Sequence, residues 1–210
     1  LLSRFHPVRV LDAIESRHNH VIALIGTQAD PAGREEIAEQ LRAIRDVPVA
    51  VVPNNPLLNA PTVQQQFEAT SAKFWRGNEA FLQGEALHTI VGAMTLANLL
   101  PYLQREATVV VPADRTELVP GLIMAHRSPE YGPLASLILT GGFEIPESIN
   151  KLFVDSQVDL PIAITKQDTF TTATQLQSVN SFSTSSLRKI EAARNQFASY
   201  VDSDQLLTAI

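Results

Sequence analysis

The sequence predicts an α/β fold with a mainly parallel sheet flanked by helices. Continuous apolar runs recur along the chain without the polar alternation of half-exposed strands; they cover residues 21–26, 47–53, 107–113, 134–140 and 161–165. Segments with helical periodicity separate these runs. Strands that are buried on both faces and alternate with helices are typical of parallel sheets.

The first elements form one βαβ unit. Residues 21–26 (VIALIG) and 47–53 (VPVAVVP) are predicted strands, and the helix between them, residues 34–45, carries Ile37, Leu41 and Ile44 on one face. The Pro- and Asn-rich stretch 53–62 (PNNPLLNAPT) then interrupts the pattern. This stretch is the best candidate for a linker between two domains.

Beyond this linker the alternation of strands and helices resumes. The predicted helices cover residues 63–75, 96–105, 117–126, 146–156 and 186–201, and the predicted strands cover residues 88–94, 107–113, 134–140 and 161–165. In the last helix, Leu187, Ile190, Phe197 and Val201 share one face. That spacing is typical of an amphipathic helix.

Composition and charge exclude several classes of function. The chain has 210 residues, of which 45% are hydrophobic, so it can build a full core. Its net charge is -6 and its cations are scattered, which argues against a nucleic-acid surface. Because the sequence contains no cysteine, it has no disulfides or thiolate nucleophiles, and this fits a cytoplasmic protein. The most apolar stretch, residues 89–103, is too short to span a membrane.

The sequence offers little that resembles a catalytic centre. His18 and His20 have a spacing compatible with metal binding, but no third ligand accompanies them, and a surface loop is the favoured interpretation. No paired nucleophile and base is recognisable. We therefore expect no catalytic residue, no metal site and no cofactor in this chain. The chain has neither an initiator Met nor a signal-peptide pattern at its start, so we also expect a part of a longer protein.

Polar groups follow three of the predicted strands. They are Asp114, Arg115 and Thr116 after the first, Thr140, Gly141 and Gly142 after the second, and Asp168 and Thr169 after the third. Ligands of parallel sheets bind beyond the carboxyl ends of the strands, and all three groups are expected at that edge. Paired glycines allow backbone N–H groups to face a ligand or a neighbouring loop. We therefore predict a ligand-binding or interface site there, suited to a small anion.

A purely local interpretation remains open for the same residues. Asp114 could cap the helix that follows it, Gly141 and Gly142 could fit a tight turn, and Thr169 or Thr171 could cap the next segment. Each position taken alone favours this interpretation, whereas the three groups on one edge favour a site.

The two half-motifs Asp114-Arg115-Thr116 and Thr140-Gly141-Gly142, about 25 positions apart, resemble the DRTGG domain, which is named for them. The similarity extends over about residues 60–210 and includes the late stretch 168–182 (DTFTTATQLQSVNSF). The stretch 47–63 is similar to the junction at which a dethiobiotin-synthetase-like P-loop domain leads into a DRTGG domain in long bacterial phosphate acetyltransferases. The resemblance implies two parts: residues 1–58, the tail of the P-loop-like domain, and residues 59–210, the DRTGG domain.

The resemblance also implies a function. In the long enzymes a separate carboxyl-terminal domain transfers the acetyl group, and the DRTGG part is associated with regulation and assembly on a fold similar to the amino-terminal domain of HPr kinase. We therefore expect a non-catalytic regulatory or oligomerisation region that forms a homodimer or a higher homo-oligomer and binds a small-molecule effector. A stand-alone sensor of a nucleotide or anion is the alternative. The phosphate-binding string G-x-x-x-x-G-K-[ST] is absent from the 210 residues, so the first part is expected to be only a remnant.

Overall fold

The structure is a computed structural model, and it describes residues 7–153, 158–179 and 186–208. The helices are α1 (Pro7–Glu15), α2 (Arg34–Arg42), α3 (Pro56–Asn59), α4 (Val63–Ala69), α5 (Leu96–Leu99), α6 (Leu118–Arg127), α7 (Glu147–Lys151), α8 (Thr169–Ser178), α9 (Leu187–Tyr200) and α10 (Ser203–Thr208). The strands are β1 (Leu24–Ala29), β2 (Val49–Pro53), β3 (Lys73–Arg76), β4 (His88–Val91), β5 (Ala107–Pro112), β6 (Ser136–Thr140) and β7 (Ile162–Ile164). The expected α/β class is confirmed.

The chain forms two compact units. Unit 1 comprises Leu1–Asn55 together with Leu187–Ile210, and unit 2 comprises Pro56–Ser186. The two compact units do not test the predicted division of the chain into residues 1–58 and residues 59–210, so that division stays a prediction. Among the described residues, no helix is both long enough and apolar enough to cross a lipid bilayer.

Unit 1 is built on the predicted βαβ unit. β1 and β2 are parallel, and Leu24 pairs with Val49 in their register. α2 covers one face of this pair with Ala38 and Leu41, which are buried with Ala29 and Val51. α9 packs beside β2, where the Gln196 Nε2 atom donates a hydrogen bond to the carbonyl of Pro53.

Unit 2 is a five-stranded sheet in the order β3-β7-β6-β5-β4. The four strands β4 to β7 are parallel, and β3 joins antiparallel to β7 at the edge. Alternate side chains of the central strands enter cores on opposite faces of the sheet: Val109 and Leu137 pack with α6 on one face, and Val110 and Ile138 pack with α4 and α8 on the other. Helices therefore cover both faces, as the uninterrupted apolar runs predicted.

Three predicted helices needed correction. The helix expected over residues 63–75 ends at Ala69, because Ser71 takes a positive φ of 50° and turns the chain into β3. The helix expected over residues 96–105 is a short α-helix followed by a 3-10 turn over Leu100–Tyr102, which contains Pro101. Of the helix expected over residues 146–156, Glu147–Lys151 is helical and residues 154–156 lie outside the described residues.

Candidate functional site

Four parallel strands of unit 2 end on the same side of the sheet, which we call the carboxyl edge. These strands are β4, β5, β6 and β7. Every predicted site residue lies at the end of one of the last three strands or in the segment that follows it: Asp114, Arg115, Thr116, Thr140, Gly141, Gly142, Asp168 and Thr169. Strand pairing continues one residue beyond β5, because the Ala113 N–H donates to the Thr140 carbonyl over 2.8 Å. The structure thus brings the three groups to one edge by backbone pairing alone.

Arg115 ties the loop after β5 to its surroundings. Its Nε atom donates to Glu117 Oε1 over 2.6 Å, and its Nη2 atom donates to the carbonyl of Met94, which follows β4, over 3.3 Å. The hydrogen bond from Arg115 holds the pKa of Glu117 below its usual range. Because the guanidinium is half-buried and still reaches solvent, it can also meet an external anion.

Asp114 does not play the local capping role considered for it. The N-cap of α6 is Glu117, and no side chain caps that helix. The Arg115 guanidinium pairs with Glu117 and not with Asp114. Within the described residues the exposed Asp114 carboxylate has no hydrogen-bond partner.

Gly141 and Gly142 bind the neighbouring loop with their backbone N–H groups. Gly141 has a φ of 89° and donates to the Gln167 carbonyl over 2.7 Å, and Gly142 has a φ of 66° and donates to the Thr165 carbonyl over 2.9 Å. A Cβ atom on Gly142 would lie 3.2 Å from the Lys166 Cα atom. The sequence left open whether these N–H groups face a ligand or a neighbouring loop. In the structure they bind the neighbouring loop.

Threonine side chains hold the ends of β6 and β7 in place. The hydroxyls of Thr140, which is buried, and Thr169 share a hydrogen bond of 2.7 Å. Thr165 is also buried, and its hydroxyl donates to the Thr70 carbonyl at the end of α4 over 2.8 Å. These bonds fix the floor of the carboxyl edge, so Thr140 is not open to a ligand. Thr116 stays partly exposed and contributes its carbonyl to the N–H of Val119.

Asp168 is the N-cap of α8. Its Oδ1 atom accepts from the Thr171 N–H over 2.9 Å and its Oδ2 atom accepts from the Thr171 hydroxyl over 2.7 Å. The backbone hydrogen bond from Thr171 is the main reason that the pKa of Asp168 is lowered. The local interpretation therefore holds at this position, with Asp168 rather than Thr169 or Thr171 as the capping residue.

Exposed aromatic residues accompany the polar groups, and the sequence analysis did not single them out. Phe143 follows the glycine pair with 52% of its surface exposed, and Phe170 lies in the first turn of α8 with 80% exposed. The Phe143 ring packs over Gly141, where an added Cβ would meet its Cε2 atom at 2.6 Å. An exposed Lys166 lies between them in sequence. Helical spacing from the buried Thr172 and Leu176 would have predicted an outward Phe170.

The carboxyl edge combines Arg115 and Lys166, an unpaired Asp114 and two exposed rings on a scaffold fixed by hydrogen bonds. Such a surface can recognise an anion, a flat ring or a second protein chain. Among the described residues there is no group of three His, Cys, Asp or Glu that could hold a metal ion.

Comparison with known proteins relates most of the chain to one group of enzymes. A phosphate acetyltransferase of Nitratidesulfovibrio vulgaris is 26% identical over 209 residues, and one of Synechocystis is 24% identical over 202 residues. These matches cover 93% and 94% of this chain, whereas the chain spans only 29% of the length of each relative. A phosphate acetyltransferase of Pseudomonas putida is 31% identical over 130 residues, which is 61% of this chain and 18% of the relative.

One solved structure is also similar. The CBS and DRTGG domains of the regulatory region of Clostridium perfringens pyrophosphatase, complexed with the activator diadenosine tetraphosphate, match with a TM-score of 0.45 and 17% identity, over 86% of this chain and 88% of that one. The family model described as the DRTGG domain matches residues 67–179, more than half of the chain. That range contains α8 and the carboxyl ends of β4 to β7. The chain therefore belongs to the DRTGG domain family.

Proposed function

We propose that the chain is a non-catalytic regulatory and assembly region of a phosphate acetyltransferase-family protein. The observation that carries the proposal is the coverage: the relatives match 93% and 94% of this chain, although it makes up only 29% of each. The similarity to those enzymes thus runs through residues of both compact units, and most of each enzyme lies outside the matched part. On this proposal residues 1–58 are the remnant of a P-loop-like domain and the protein is cytoplasmic.

The first test is catalytic. We expect the purified chain to form no acetyl phosphate from acetyl-CoA and phosphate, since no nucleophile-base pair is present among the site residues. A coupled assay for free coenzyme A measures this directly. Turnover that co-purifies with the chain and is abolished by a substitution in it would overturn the non-catalytic assignment.

The carboxyl edge is the surface through which regulation would act. Its floor is fixed by the Thr140–Thr169 and glycine hydrogen bonds, so the backbone that carries its exposed groups is held in place. Asp114 is exposed and has no partner within the described residues, and Arg115 and Lys166 bring positive charge to the same loops. Fixed exposed charges of this kind suit an effector or a second subunit.

Binding by these groups can be measured on the chain itself. We expect ATP, AMP, inorganic phosphate or acetyl phosphate to raise the melting temperature, with the shift reduced by Lys166→Ala and by Arg115→Ala. Arg127→Ala is the matched control, because Arg127 is an exposed cation at the opposite end of α6. If none of these probes binds, or if Arg127→Ala reduces the shift equally, the effector role of the edge is wrong.

A stand-alone sensor of a nucleotide or anion is the second candidate. The observation that favours it is the pair of exposed rings, Phe143 and Phe170, beside the two cations. A nucleotide that binds the chain far more tightly than inorganic phosphate, and loses this advantage in Phe170→Ala, would support the sensor. Equal affinities for nucleotide and phosphate would leave the regulatory region as the better proposal.

The proposal includes self-association as a homodimer. Closed two-fold pairing is the commonest assembly of soluble chains. Light scattering of the purified chain is expected to give about twice the chain mass of 23.0 kDa. A mass equal to that of one chain at high micromolar concentration would contradict it.

A further inference from the structure

Helix α9 packs on unit 1 through its polar side. Lys189 is its buried residue, with only 4% of its surface exposed, although Lys is among the side chains least often buried. Gln196, two helical turns further along, donates a hydrogen bond to the Pro53 carbonyl. The Arg34 guanidinium lies over the Tyr200 ring, 5.1 Å from the ring centre. Gln196 and Tyr200 therefore bind α9 to unit 1 through a polar and an aromatic side chain.

Three of the four residues predicted on the apolar face of this helix are exposed, whereas the fourth, Val201, is buried just after the helix ends. Leu187, Ile190 and Phe197 are 77%, 48% and 46% exposed. At about 100° per residue these three side chains form one row, which we call the α9 stripe, and it lies about 120° round the helix from the row of Lys189 and Gln196. A row of large apolar side chains that a helix turns away from its own unit is a mark of an interaction surface.

Two opposite charges lie along one side of the stripe. Glu191 and Arg194 are both exposed, and within the described residues neither has an ion-pair partner. Residues three apart are neighbours on a helix surface, so the two charges follow one another along the axis. A surface with an apolar row and an adjacent acid and base is complementary to itself when it is turned by two-fold rotation.

We propose that the α9 stripe pairs with the α9 stripe of a second copy of this chain, with the two helices antiparallel. The inference rests on the self-association included in the proposed function, and it assigns the surface. A two-fold axis that passes between Ala192 and Ala193 brings Glu191 of each copy opposite Arg194 of the other copy. The same axis brings Phe197 of each copy beside Leu187 of the other copy. Both ion pairs form at once because of the symmetry.

Charge also selects the antiparallel arrangement. In a parallel two-fold pair, the charged sides of the two helices would lie on opposite sides of the contact, so neither Glu191 nor Arg194 would meet an opposite charge across it. Ridges formed by Ile190 and Phe197 can interdigitate in either direction. The alternating sign of Glu191 and Arg194 therefore sets the direction and the register.

The first experiment measures the dimer dissociation constant by sedimentation equilibrium of the full chain. Phe197→Glu is expected to raise this constant at least roughly tenfold, as for a residue at the centre of an interface. Met124→Glu is the control, since Met124 is 68% exposed on α6. A wild-type dimer that Phe197→Glu leaves as tight as before would overturn this assignment alone, whereas a monomeric wild type would overturn the proposed self-association as well.

A charge exchange tests the same contact without altering the apolar row. Glu191→Arg and Arg194→Glu are each expected to weaken the dimer at least roughly threefold, and the double variant is expected to restore it, because every ion pair re-forms with the charges exchanged. Failure of the double variant to recover would contradict the Glu191–Arg194 pairing. Circular dichroism of each variant checks that the helix is retained.

Disulfide cross-linking tests whether the two α9 helices are antiparallel. Because the native sequence contains no cysteine, only the introduced cysteines can form disulfides. In the proposed register Leu187 of one copy lies opposite Ala198 of the other. A mixture of Leu187→Cys and Ala198→Cys chains should therefore oxidise to disulfide-linked heterodimers, and neither variant alone should form a linked dimer. Linked homodimers of each variant alone would show a parallel pair and overturn the antiparallel arrangement.

Discussion

Three polar side chains lie inside the apolar core of unit 2. Gln66, Thr108 and Ser136 have at most 1% of their surface exposed. The Thr108 hydroxyl donates to Gln66 Oε1 and shares a hydrogen bond of 2.8 Å with the Ser136 hydroxyl. The network joins α4 to β5 and β6, and each hydroxyl is satisfied within it. These hydrogen-bond partners could not have been predicted from the pattern of apolar residues in the sequence.

Thr108→Val removes the hydroxyl that bonds Gln66. We expect a loss of about 1–3 kcal/mol in the free energy of unfolding, because Gln66 Oε1 is left buried without that donor. Urea unfolding followed by the fluorescence of Trp75, which packs against the core of unit 2, measures it. Thr89→Val is the matched control, since Thr89 pairs with Thr108 across the ladder but is exposed. Equal losses in the two variants would contradict the network.

His126 makes the stability of unit 2 depend on pH. Burial lowers the pKa of His126 below its ordinary value of 6.5, and its Nδ1 atom accepts a hydrogen bond from the Leu134 N–H over 3.1 Å. Because the folded pKa is lowered, the unfolded chain binds the proton first as the pH falls. The free energy of unfolding therefore begins to fall as the pH drops below the ordinary pKa of histidine. It stops falling once the pH is below the pKa of His126 in the folded state.

His126→Asn separates this titration from the other histidines. Asn keeps an acceptor close to the position of Nδ1 but does not titrate. Denaturant midpoints between about pH 5 and pH 8 should fall with acidification more steeply for the wild type than for the variant. Parallel curves would show that His126 does not carry the pH dependence.

At the scale of elements, the sequence predicted the strands better than the helices. Runs such as residues 107–113 and 134–140 are apolar on both faces, and β5 and β6 lie within them. β3 was missed because its four residues, KFWR, continue the helical pattern of α4 and gain strand geometry only by pairing with β7. α8 was missed because its Thr-rich sequence has weak helix propensity, and the Asp168 cap and packing against β4 and β5 define it.

The candidate site was predictable in position but not in bonding. The rule for parallel sheets was enough to place Asp114, Gly141 and Asp168 on one edge. Which atoms pair depends on loop geometry, so Arg115 bonds Glu117 and the glycine N–H groups bond the β7 loop. The buried face of α9 was not predictable either, because Leu187, Ile190 and Phe197 are exposed while Lys189 is buried; of the predicted apolar row only Val201 is buried.

The left-handed backbone of Gly142 can be tested at one position with two side chains. Gly142→Ala is expected to cost about 1–2 kcal/mol, since a non-glycine residue at a φ of 66° is strained. Gly142→Asn introduces the same Cβ but tolerates this conformation better, so its loss should be smaller. Urea unfolding gives both values. If the two variants lose the same amount, the contact of the Cβ with Lys166, and not the backbone, sets the cost.

The two units differ in the size of their hydrophobic cores. In the described part of unit 1, the buried cluster under α2 consists of Ala29, Ala38, Leu41 and Val51 around a two-stranded sheet. The larger cluster of unit 2 has sixteen buried residues on one face of a five-stranded sheet, with a second cluster on the other face. Because apolar burial is the main stabilising term of folding, and two-stranded sheets are marginal alone, unit 2 should be the more stable.

Hydrogen exchange of the backbone amides can separate the stabilities of the two units. We expect amides of β1 and β2, such as Val51, to exchange through openings of lower free energy than those of β5 and β6, such as Val110 and Ile138, because each unit opens with its own core. Leu41→Ala removes a buried side chain from unit 1 and should cost roughly 2–5 kcal/mol there. Protection in β1 and β2 should then fall while that in β5 and β6 is unchanged. Loss of protection in both sheets together would mean that the chain unfolds as one cooperative unit, and it would link the stability of the carboxyl edge to that of the α2 core.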